Sequence, residues 1–316
     1  MLNTPVAYII FNRPRHTQET FAAIRAQRPA KMFIIADGPR PGHPTDAECC
    51  QKVLKIVEDI DWPCEIHRNY AEHNLGCKQR VITGLDWVFE QVEKAIIIED
   101  DVLPHPDFYP YCDALLERYE DDERVMVITA CNFQNGQRRG DSAYYFSKYN
   151  HVWGWATWRR AWIKNDHSLK FWPKWKKSEA WLRHISDKIE RSYWSNIFDR
   201  MYRNEIDTWD YPWMASVWYH GGLTATPNVN MVTNIGFGPD STHTVADVEQ
   251  SGCPAFPLGL LTHPDEVVQD QKADRFVYDH HYCSLDDRFY RRMFLLPGRV
   301  VGNIIRIMRC LIDFRG

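Results

Sequence analysis

The sequence predicts an α/β fold in which a mostly parallel sheet is flanked by helices, and three observations predict it. Several short runs of apolar, β-branched residues have the length of strands that are buried on both faces. Segments with apolar residues at helical spacing separate these runs, which is the pattern of βαβ units. Polar residues follow directly after several runs, where the carboxyl ends of parallel strands meet. The length of 316 residues suits one large domain or two smaller ones.

The composition is that of a soluble globular protein. The formal net charge is −4, with 25% charged and 44% hydrophobic residues, so overall charge gives no reason to bind nucleic acid. The 13 Trp residues favour either a Trp-rich core or sugar-stacking surfaces. The 9 Cys residues are scattered without C-x-x-C spacing, so neither a disulfide framework nor a zinc site is predicted. We expect a reducing, cytoplasmic location.

The first two predicted strands end at one edge of the sheet. The run 6–11 is a strand, and Asn12-Arg13-Pro14 ends it before a helix that Thr17 could cap and that extends to about residue 25. The run 31–36 is a second strand that stops at Asp37. Arg13 could therefore pair with a diphosphate, stack on a base, or be a surface residue of the turn.

The next predicted elements lead to a strongly acidic turn. A helix begins near Thr45 with a capping-box pattern, and a shorter strand covers 64–68. A helix with one apolar face follows the loop 69–76. The apolar run 95–98 then ends directly in Glu99-Asp100-Asp101. Three acids at the carboxyl edge of a parallel sheet predict a site for a hard divalent cation and its phosphate ligand, and the alternative is a solvated acidic turn.

The second half is rich in tryptophan. Strands are predicted at 124–129 and 144–147. Trp155, Trp158 and Trp162 have helical spacing within 151–162 and predict a buried helix face. Gly154 indicates either a close backbone approach or unusual dihedrals at a helix entry, and Trp153 is the ring expected to face a ligand. A long helix is predicted over 178–204.

The last segment, 288–316, predicts a basic amphipathic helix. It has seven Arg against one acid, and its apolar residues recur at helical spacing. Such a helix can lie on an anionic membrane surface, which would place the protein at the inner face of the membrane. It can equally dock onto the domain or onto a second subunit.

With these elements in place, the chain resembles GT-A-fold glycosyltransferases, and distantly the N-acetylglucosaminyltransferase I type. The resemblance covers about residues 5 to 245 and implies a GT-A-like, Rossmann-like catalytic domain over 1–245, with a nucleotide-sugar half (1–135), an acceptor half (136–245) and a helical C-terminal extension (246–316). Four segments carry it, in the family's order: Ile98-Glu99-Asp100-Asp101, similar to a D-x-D variant; Thr129-Ala130-Cys131-Asn132 with Asn135-Gly136; Val152-Trp153-Gly154-Trp155 through Arg160-Ala161-Trp162; and Trp209-Asp210 with Trp213-Met214. The opening Ile10-Phe11-Asn12-Arg13-Pro14 also resembles bacterial proteins of this kind.

The resemblance implies roles for particular residues. Asp101 would contact the metal, Glu99 and Asp100 would face the ribose and donor sugar, and Asp37 would hydrogen-bond the uracil. His243 could contact the diphosphate or the metal, or simply be an exposed loop residue. The residues predicted to bind the donor are Asn12, Arg13, Asp37, Arg80, Glu99, Asp100, Trp153 and Gly154.

The predicted catalytic base departs from the family's pattern. The family has adjacent acids before Trp-Met, whereas Tyr211-Pro212 stands here in place of the second acid, so Asp210 is shifted and Asp207 is the substitute. The adjacent His280 and His281 are left out of the site because neighbouring side chains diverge on regular elements.

The predicted activity is a metal-dependent, inverting glycosyltransferase of the hexosyl- or N-acetylhexosaminyltransferase class. The expected cofactor is Mn²⁺ or Mg²⁺, since one carboxylate and two phosphate oxygens suit an all-oxygen site. The donor would be a nucleotide sugar, with a UDP-sugar favoured, and the acceptor a glycan, a lipid-linked molecule or a protein. The alternatives are a non-catalytic binding protein of the same fold, or a nucleotidyltransferase that makes nucleotide sugars. A nucleotidyltransferase would need a Gly-rich loop after the first strand, where this chain has Asn12-Arg13-Pro14-Arg15.

Overall fold

The structure is a computed structural model that describes residues 2–236 and 253–283. It confirms the predicted α/β class, with a mostly parallel sheet flanked by helices. Its strands are β1 (Val6–Ile10), β2 (Lys31–Ala36), β3 (Glu65–Tyr70), β4 (Lys94–Glu99), β5 (Val102–Pro104), β6 (Val125–Thr129), β7 (Tyr144–Ser147), β8 (Trp155–Trp158), β9 (Leu223–Pro227) and β10 (Val232–Asn234). Its α-helices are α1 (Pro14–Gln27), α2 (Asp46–Glu58), α3 (Gly76–Phe89), α4 (Phe108–Arg118), α5 (Arg159–Trp162), α6 (Trp172–Trp175), α7 (Glu179–His184), α8 (Lys188–Tyr202), α9 (Asp210–Tyr219) and α10 (Gln271–Val277), and a π-helical turn covers Tyr278–Tyr282.

The main sheet has the strand order β3-β2-β1-β4-β8-β6-β9-β7 within the described residues. Strands β3, β2, β1 and β4 are parallel, whereas β8 and β7 pair antiparallel with their neighbours. The chain winds outward from β1 to β3 and then returns to the other side of β1 as β4. The strand order therefore reverses between β1 and β4, and ligands of open α/β sheets bind beyond the strand ends at such a point.

Burial on both faces explains the continuous apolar runs. In β4, Ile96 and Ile98 face one core together with α1, α2 and α4, while Ala95 and Ile97 face a second core with α3, α8 and α9. Since successive side chains of a strand point to opposite faces, a strand between two cores must be apolar at every position. The run can end only where β4 leaves both cores, and that is at Glu99.

A small ribbon adds a wall beside this strand end. Strand β10 pairs antiparallel with β5, and Asn234 lies opposite Val102. The backbone N–H of Ile235 donates to the C=O of Asp101 at 2.8 Å. The ribbon thereby brings Gly236 against the acidic turn.

Two predicted helix caps are wrong. Helix α1 already begins at Pro14, because proline is suited to a first helical position, so Thr17 lies inside the helix and its hydroxyl donates to the C=O of Arg13 at 2.9 Å. Thr45 does precede α2, but its side chain makes no capping hydrogen bond there.

The predicted helix over 151–162 is also wrong, although its tryptophans are buried as expected. Residues Trp155–Trp158 form β8, which fills the gap between β4 and β6 and pairs with both. Helix α5 begins only at Arg159. Backbone pairing on both sides of β8 outweighs the helical spacing of the aromatic residues.

The single long helix predicted over 178–204 is two helices, α7 and α8. The Ser178 hydroxyl oxygen accepts from the N–H of Trp181, and the Asp187 carboxylate accepts from the N–H groups of Ile189 and Glu190, both at 2.9 Å. Two N-caps in one apolar-periodic stretch mark two helix starts.

The segment 253–283 packs on the domain and ends in α10 and the π-helical turn. The N–H of Asp270 donates to the C=O of Phe146 at 2.7 Å, which ties the segment to β7. The predicted basic helix over 288–316 lies outside the described residues, and the proposed boundary at 245 stays a prediction. None of the described helices combines the length and apolar character that a membrane span requires.

Candidate active site

The carboxyl ends of β1 and β4 form the centre of the candidate site. The two strands are paired so that Ile9 lies opposite Glu99. The loop after β1 and the acidic turn after β4 therefore leave the sheet side by side. Nη1 of Arg13 lies 2.7 Å from Oδ2 of Asp101, and the N–H of Phe11 donates to Oδ2 of Asp100 at 3.0 Å.

The three acids of the turn have different surroundings. Asp100 is buried, and its C=O accepts from the Thr20 hydroxyl at 3.2 Å, so it braces the turn against β1 and α1. Asp101 is more open, with 22% of its side chain exposed. Burial raises the pKa of Glu99, and the negative charges of Asp101, Asp100 and Asp210 raise it further. Three other carboxylates therefore act on Glu99 at this strand end.

A cleft of about 250 Å³ lies over these strand ends. Its wall comes from the loops after β1 and β2, the start of α3, the acidic turn and the end of β10. Of the residues predicted to bind donor or metal, seven line it: Arg13, Asp37, Arg80, Glu99, Asp100, Asp101 and Trp153. Asn12 and Gly154 are not among the lining residues. These seven residues lie up to 140 positions apart in the sequence (Arg13 to Trp153).

Hydrogen-bond donors of the protein itself already satisfy the Asp37 carboxylate. Its Oδ1 accepts from the N–H groups of Gly38 (2.9 Å) and Leu75 (2.8 Å), and its Oδ2 accepts from Nδ2 of Asn74 (3.0 Å) and the N–H of Gly76 (3.1 Å). A carboxylate has about four acceptor positions, so these four donors fill it. Asp37 fixes the loop that begins α3, and the uracil contact predicted for it would have to displace one of these donors.

Arg80 is a buried cation in the cleft wall. It is 4% exposed, and its Nη2 donates to the C=O and to Oδ1 of Asn69 at 2.5 and 2.8 Å. Its Nε has no hydrogen-bond partner within the described residues, and it forms no ion pair there. Burial lowers the pKa of Arg80, which is the effect expected of a desolvated charge. An anionic ligand would compensate this charge.

Arg40 also lines the cleft, although the sequence pattern did not single it out. Asp46 holds its guanidinium at 2.7 and 3.0 Å, and the guanidinium carbon lies 5.4 Å from the centre of the Phe11 ring. Nδ2 of Asn12 donates to the same Asp46 at 2.8 Å, so Asn12 supports this arrangement from outside the cleft. The signal available in the sequence was the position of Arg40 just after the turn that ends β2.

Trp153 and Gly154 separate into two functions. Trp153 lines the cleft, and the contact of its ring with a ligand stays a prediction. Gly154 has φ +64°, and its C=O accepts from the N–H of Ala130 at 2.8 Å. A Cβ at Gly154 would lie 3.4 Å from Ala130 and Val102. These are ordinary contact distances, so the positive φ, rather than a close backbone approach, is what favours glycine at position 154.

Asp210 and Asp207, the two candidates for the base, are not among the residues that line the cleft. Asp210 is the first residue of α9, and the Thr208 hydroxyl donates to its Oδ1. Burial raises the pKa of the Cys77 thiol, and Glu99 and Asp210 raise it more strongly than Asp207 does. Of this pair, Asp210 therefore acts more strongly on the Cys77 thiol. Cys77, which lines the cleft, gave no signal in the sequence. His243 lies outside the described residues.

The donor set suits a hard divalent cation that takes few ligands from the protein. Among the described residues, no group of three or more His, Cys, Asp and Glu side chains is arranged to hold a metal ion alone. Among these carboxylates Arg13 forms ion pairs with Asp100 and Asp101, and a bound cation would relieve the repulsion from Asp101, Asp100 and Asp210 that helps to raise the pKa of Glu99. At Asp101 a metal ion would share the carboxylate with Arg13.

No protein-family model matches the chain, and no curated protein matches it. The solved structures that are similar to part of it include the following two. A mannosyltransferase from Pyrobaculum calidifontis, in complex with GDP-Man and Mn²⁺, has 12% identity and a TM-score of 0.33 over 51% of this chain and 46% of its own. A UDP-glucose pyrophosphorylase complexed with UDP-glucose has 13% identity and a TM-score of 0.26 over 46% of this chain and 62% of its own.

The chain therefore spans less than two thirds of each of these proteins. Similarities of this size assign no activity. The resemblance to the N-acetylglucosaminyltransferase I type stays a prediction, and the function has to be argued from the cleft itself.

Proposed function

We propose that the protein is a metal-dependent, inverting glycosyltransferase that moves a sugar from a nucleotide diphosphate, with a UDP-sugar favoured, to a hydroxyl acceptor. The observation that carries this proposal is the distribution of charge in one cleft. Arg13, Arg40 and Arg80 lie in its wall, and the carboxylates of Glu99 and Asp101 lie beside them. A nucleotide diphosphate needs the cations, and a metal ion needs the acids.

The arginines would stabilise the departing diphosphate. Arg80 is buried, and the charge of Asp37 only partly offsets its desolvation, so a phosphate oxygen could compensate the rest of its charge. Arg13 reaches the acidic turn and could contact the diphosphate while it still contacts Asp101. Asp101 would be the protein's ligand for Mn²⁺ or Mg²⁺, and the bound ion supplies neutralisation of the charge that develops on the diphosphate.

Asp210 would act as the general base. Its carboxylate would accept the proton of the acceptor hydroxyl while the hydroxyl oxygen bonds to the anomeric carbon and the bond to the diphosphate breaks. The Thr208 hydroxyl, which donates to Oδ1 of Asp210, would orient the carboxylate for this step. Attack from the face opposite the diphosphate inverts the anomeric centre.

The proposal is tested with a panel of UDP- and GDP-sugars, incubated with the protein with and without Mn²⁺. A transferase leaks some sugar to water, so we expect slow, Mn²⁺-dependent release of nucleoside diphosphate from one donor, together with thermal stabilisation by that donor. Stabilisation without release indicates a binding protein. Formation of nucleoside triphosphate on addition of pyrophosphate indicates a nucleotidyltransferase, and either result contradicts the proposal.

A further inference from the structure

Four aromatic side chains contact one another in a row that begins at the cleft, which we call the aromatic wall: Trp153, which lines the cleft, then Phe133, His281 and Tyr282. The Phe133 and His281 rings are stacked, with centroids 4.1 Å apart, and the Phe133 and Trp153 rings are 5.7 Å apart in an edge arrangement. The His281 and Tyr282 rings are 4.7 Å apart. All four residues are partly exposed. The wall thus joins the middle of the chain to the end of the described C-terminal segment.

The π-helical turn places His281 and Tyr282 in the wall. The extra residue of a π turn shifts side chains relative to an α-helix, and such turns frequently occur at functional sites. The preceding helix α10 is held firmly, because Nη1 of Arg275 lies 2.7 Å from Oδ2 of Asp187. The neighbouring His280 points elsewhere, since it is exposed and stacks on Phe276 at 3.9 Å.

One end of the aromatic wall lies at the proposed donor site, and the other end lies towards the proposed base. Trp153 lines the cleft together with Asp101. At the other end, the Trp194 ring lies 4.8 Å from the Tyr282 ring and 5.9 Å from the Tyr211 ring. Tyr211 directly follows the proposed base Asp210 in α9, so this end of the wall lies towards the base. A molecule lying on the wall would have one edge at the donor and another near the carboxylate of Asp210.

A buried histidine supports the wall from behind. His151 is 8% exposed, and its ring lies 4.5 Å from Phe133 and 5.4 Å from His281. Burial lowers the pKa of His151 well below its usual value, so the ring is neutral at physiological pH. The wall consequently rests on an uncharged aromatic layer.

We propose that the aromatic wall binds a sugar ring of the acceptor, so that the acceptor is a saccharide rather than a protein side chain or a lipid. A sugar ring has an apolar C–H face that suits aromatic rings and hydroxyl groups that suit a nearby carboxylate. A lipid chain has no hydroxyl groups to pair with a carboxylate, and a peptide backbone has no flat C–H face like that of a sugar ring. This inference rests on the proposed function, because it assigns the acceptor side of the same site.

The test measures carbohydrate binding without turnover. The probes are methyl glycosides of glucose, galactose, mannose and N-acetylglucosamine, observed by saturation-transfer NMR with the full chain, alone and with UDP and Mn²⁺. We expect at least one glycoside to receive saturation from the protein. His281→Ala should weaken its binding about three- to tenfold, which is the scale of one aromatic contact. The matched control His280→Ala should bind like the wild type.

A second variant keeps the test valid if His281→Ala does not fold. Phe133→Leu retains apolar volume but removes the flat ring, and the same loss of glycoside binding is expected. The inference is overturned if no glycoside binds, if both variants bind like the wild type, or if only a Ser/Thr peptide or an alkyl phosphate binds.

Failure of the wall can be distinguished from failure of the proposed function by titrating UDP with Mn²⁺ into the same proteins. If UDP binds and no glycoside binds, the result contradicts the acceptor role of the aromatic wall but not the proposed function. Binding of a glycoside that depends on His281, without any nucleotide, supports the wall and contradicts the proposed function.

Discussion

The carboxylate of Asp274 holds the C-terminal segment 253–283 against β7, and this contact gives a prediction that can be worked out quantitatively. Asp274 is 3% exposed. Its Oδ1 accepts from the Ser147 hydroxyl at 2.5 Å, and its Oδ2 accepts from Nε2 of Gln269 at 2.6 Å and the N–H of Lys148 at 3.2 Å. Burial raises the pKa of Asp274 to about 6, although Lys148 and the hydrogen bonds act in the opposite direction.

The sign follows from the raised pKa in the folded state. The folded protein keeps the proton of Asp274 at pH values where the unfolded chain has lost it. The contribution of Asp274 to stability is therefore complete below about pH 4 and is lost as the pH rises through about 6. A rise from 3.8 to about 6 corresponds to about 3 kcal/mol in the free energy of unfolding.

The variant Asp274→Asn removes this titration. It also directs an amide N–H₂ group at neighbouring donors, which lowers stability by an amount that does not vary with pH. The prediction therefore concerns the difference between the two pH profiles. As the pH rises from about 4 to about 7, the free energy of unfolding of the variant should increase by about 3 kcal/mol relative to that of the wild type.

Urea unfolding followed by tryptophan fluorescence at a series of pH values measures this difference. The control is Asp265→Asn, an exposed position in the same segment, whose profile should run parallel to that of the wild type. Parallel profiles for Asp274→Asn and the wild type would refute the reasoning, because they would show that Asp274 titrates alike in the folded and unfolded states.

Three further predictions concern the cleft. Arg80→Met should weaken UDP binding about ten- to hundredfold, measured by calorimetry, because a charge-assisted hydrogen bond to phosphate is lost; an unchanged affinity would remove Arg80 from the donor site. Gly236→Ala should reduce the strengthening of UDP binding by Mn²⁺ at least about tenfold, because the new Cβ would lie 2.7 Å from Cβ of Asp101 and displace its carboxylate. An unchanged effect of Mn²⁺ would contradict the placement of Asp101 at the metal. Asp210→Asn should bind UDP normally but lose transfer by about a thousandfold or more, followed as product formation, whereas Asp207→Asn should stay active; the reverse result would move the base to Asp207.

The sheet and the acidic strand end were predictable because a local pattern determines them. Strand β4 lies between two cores, so burial on both faces makes it apolar until it leaves the sheet at Glu99. The polar residues that follow β1 and β4 then had to meet, since the strands are parallel neighbours. The ion pair between Arg13 and Asp101 is the direct consequence.

The tryptophan-rich stretch was misassigned because spacing alone does not distinguish its two structures. Trp155 and Trp158 belong to different cores, one on each face of the sheet, and three positions along a strand also change the face. The deciding contribution is the pairing of β8 with both β4 and β6, which a local pattern cannot contain. The break between α7 and α8 could have been predicted, because Asp187 followed by Glu190 is a signal for a helix N-terminus. The apolar spacing concealed it.

The roles of individual cleft residues were harder to predict because they depend on long-range partners. Asp37 was predicted to contact a base, but donors from the start of α3 fill its carboxylate. Phe133 and His281 lie 148 positions apart in the sequence, and nothing local to either residue indicates their stacking. Such contacts arise only once the C-terminal segment has docked.

The central claim is that Asp101 binds a cation which in turn binds a diphosphate. The most direct test is calorimetric titration of UDP, with and without Mn²⁺, into the wild type, Asp101→Asn and the exposed-site control Asp121→Asn. We predict that Mn²⁺ strengthens UDP binding at least about tenfold in the wild type and the control, and not at all in Asp101→Asn. An equal strengthening by Mn²⁺ in Asp101→Asn would contradict the account.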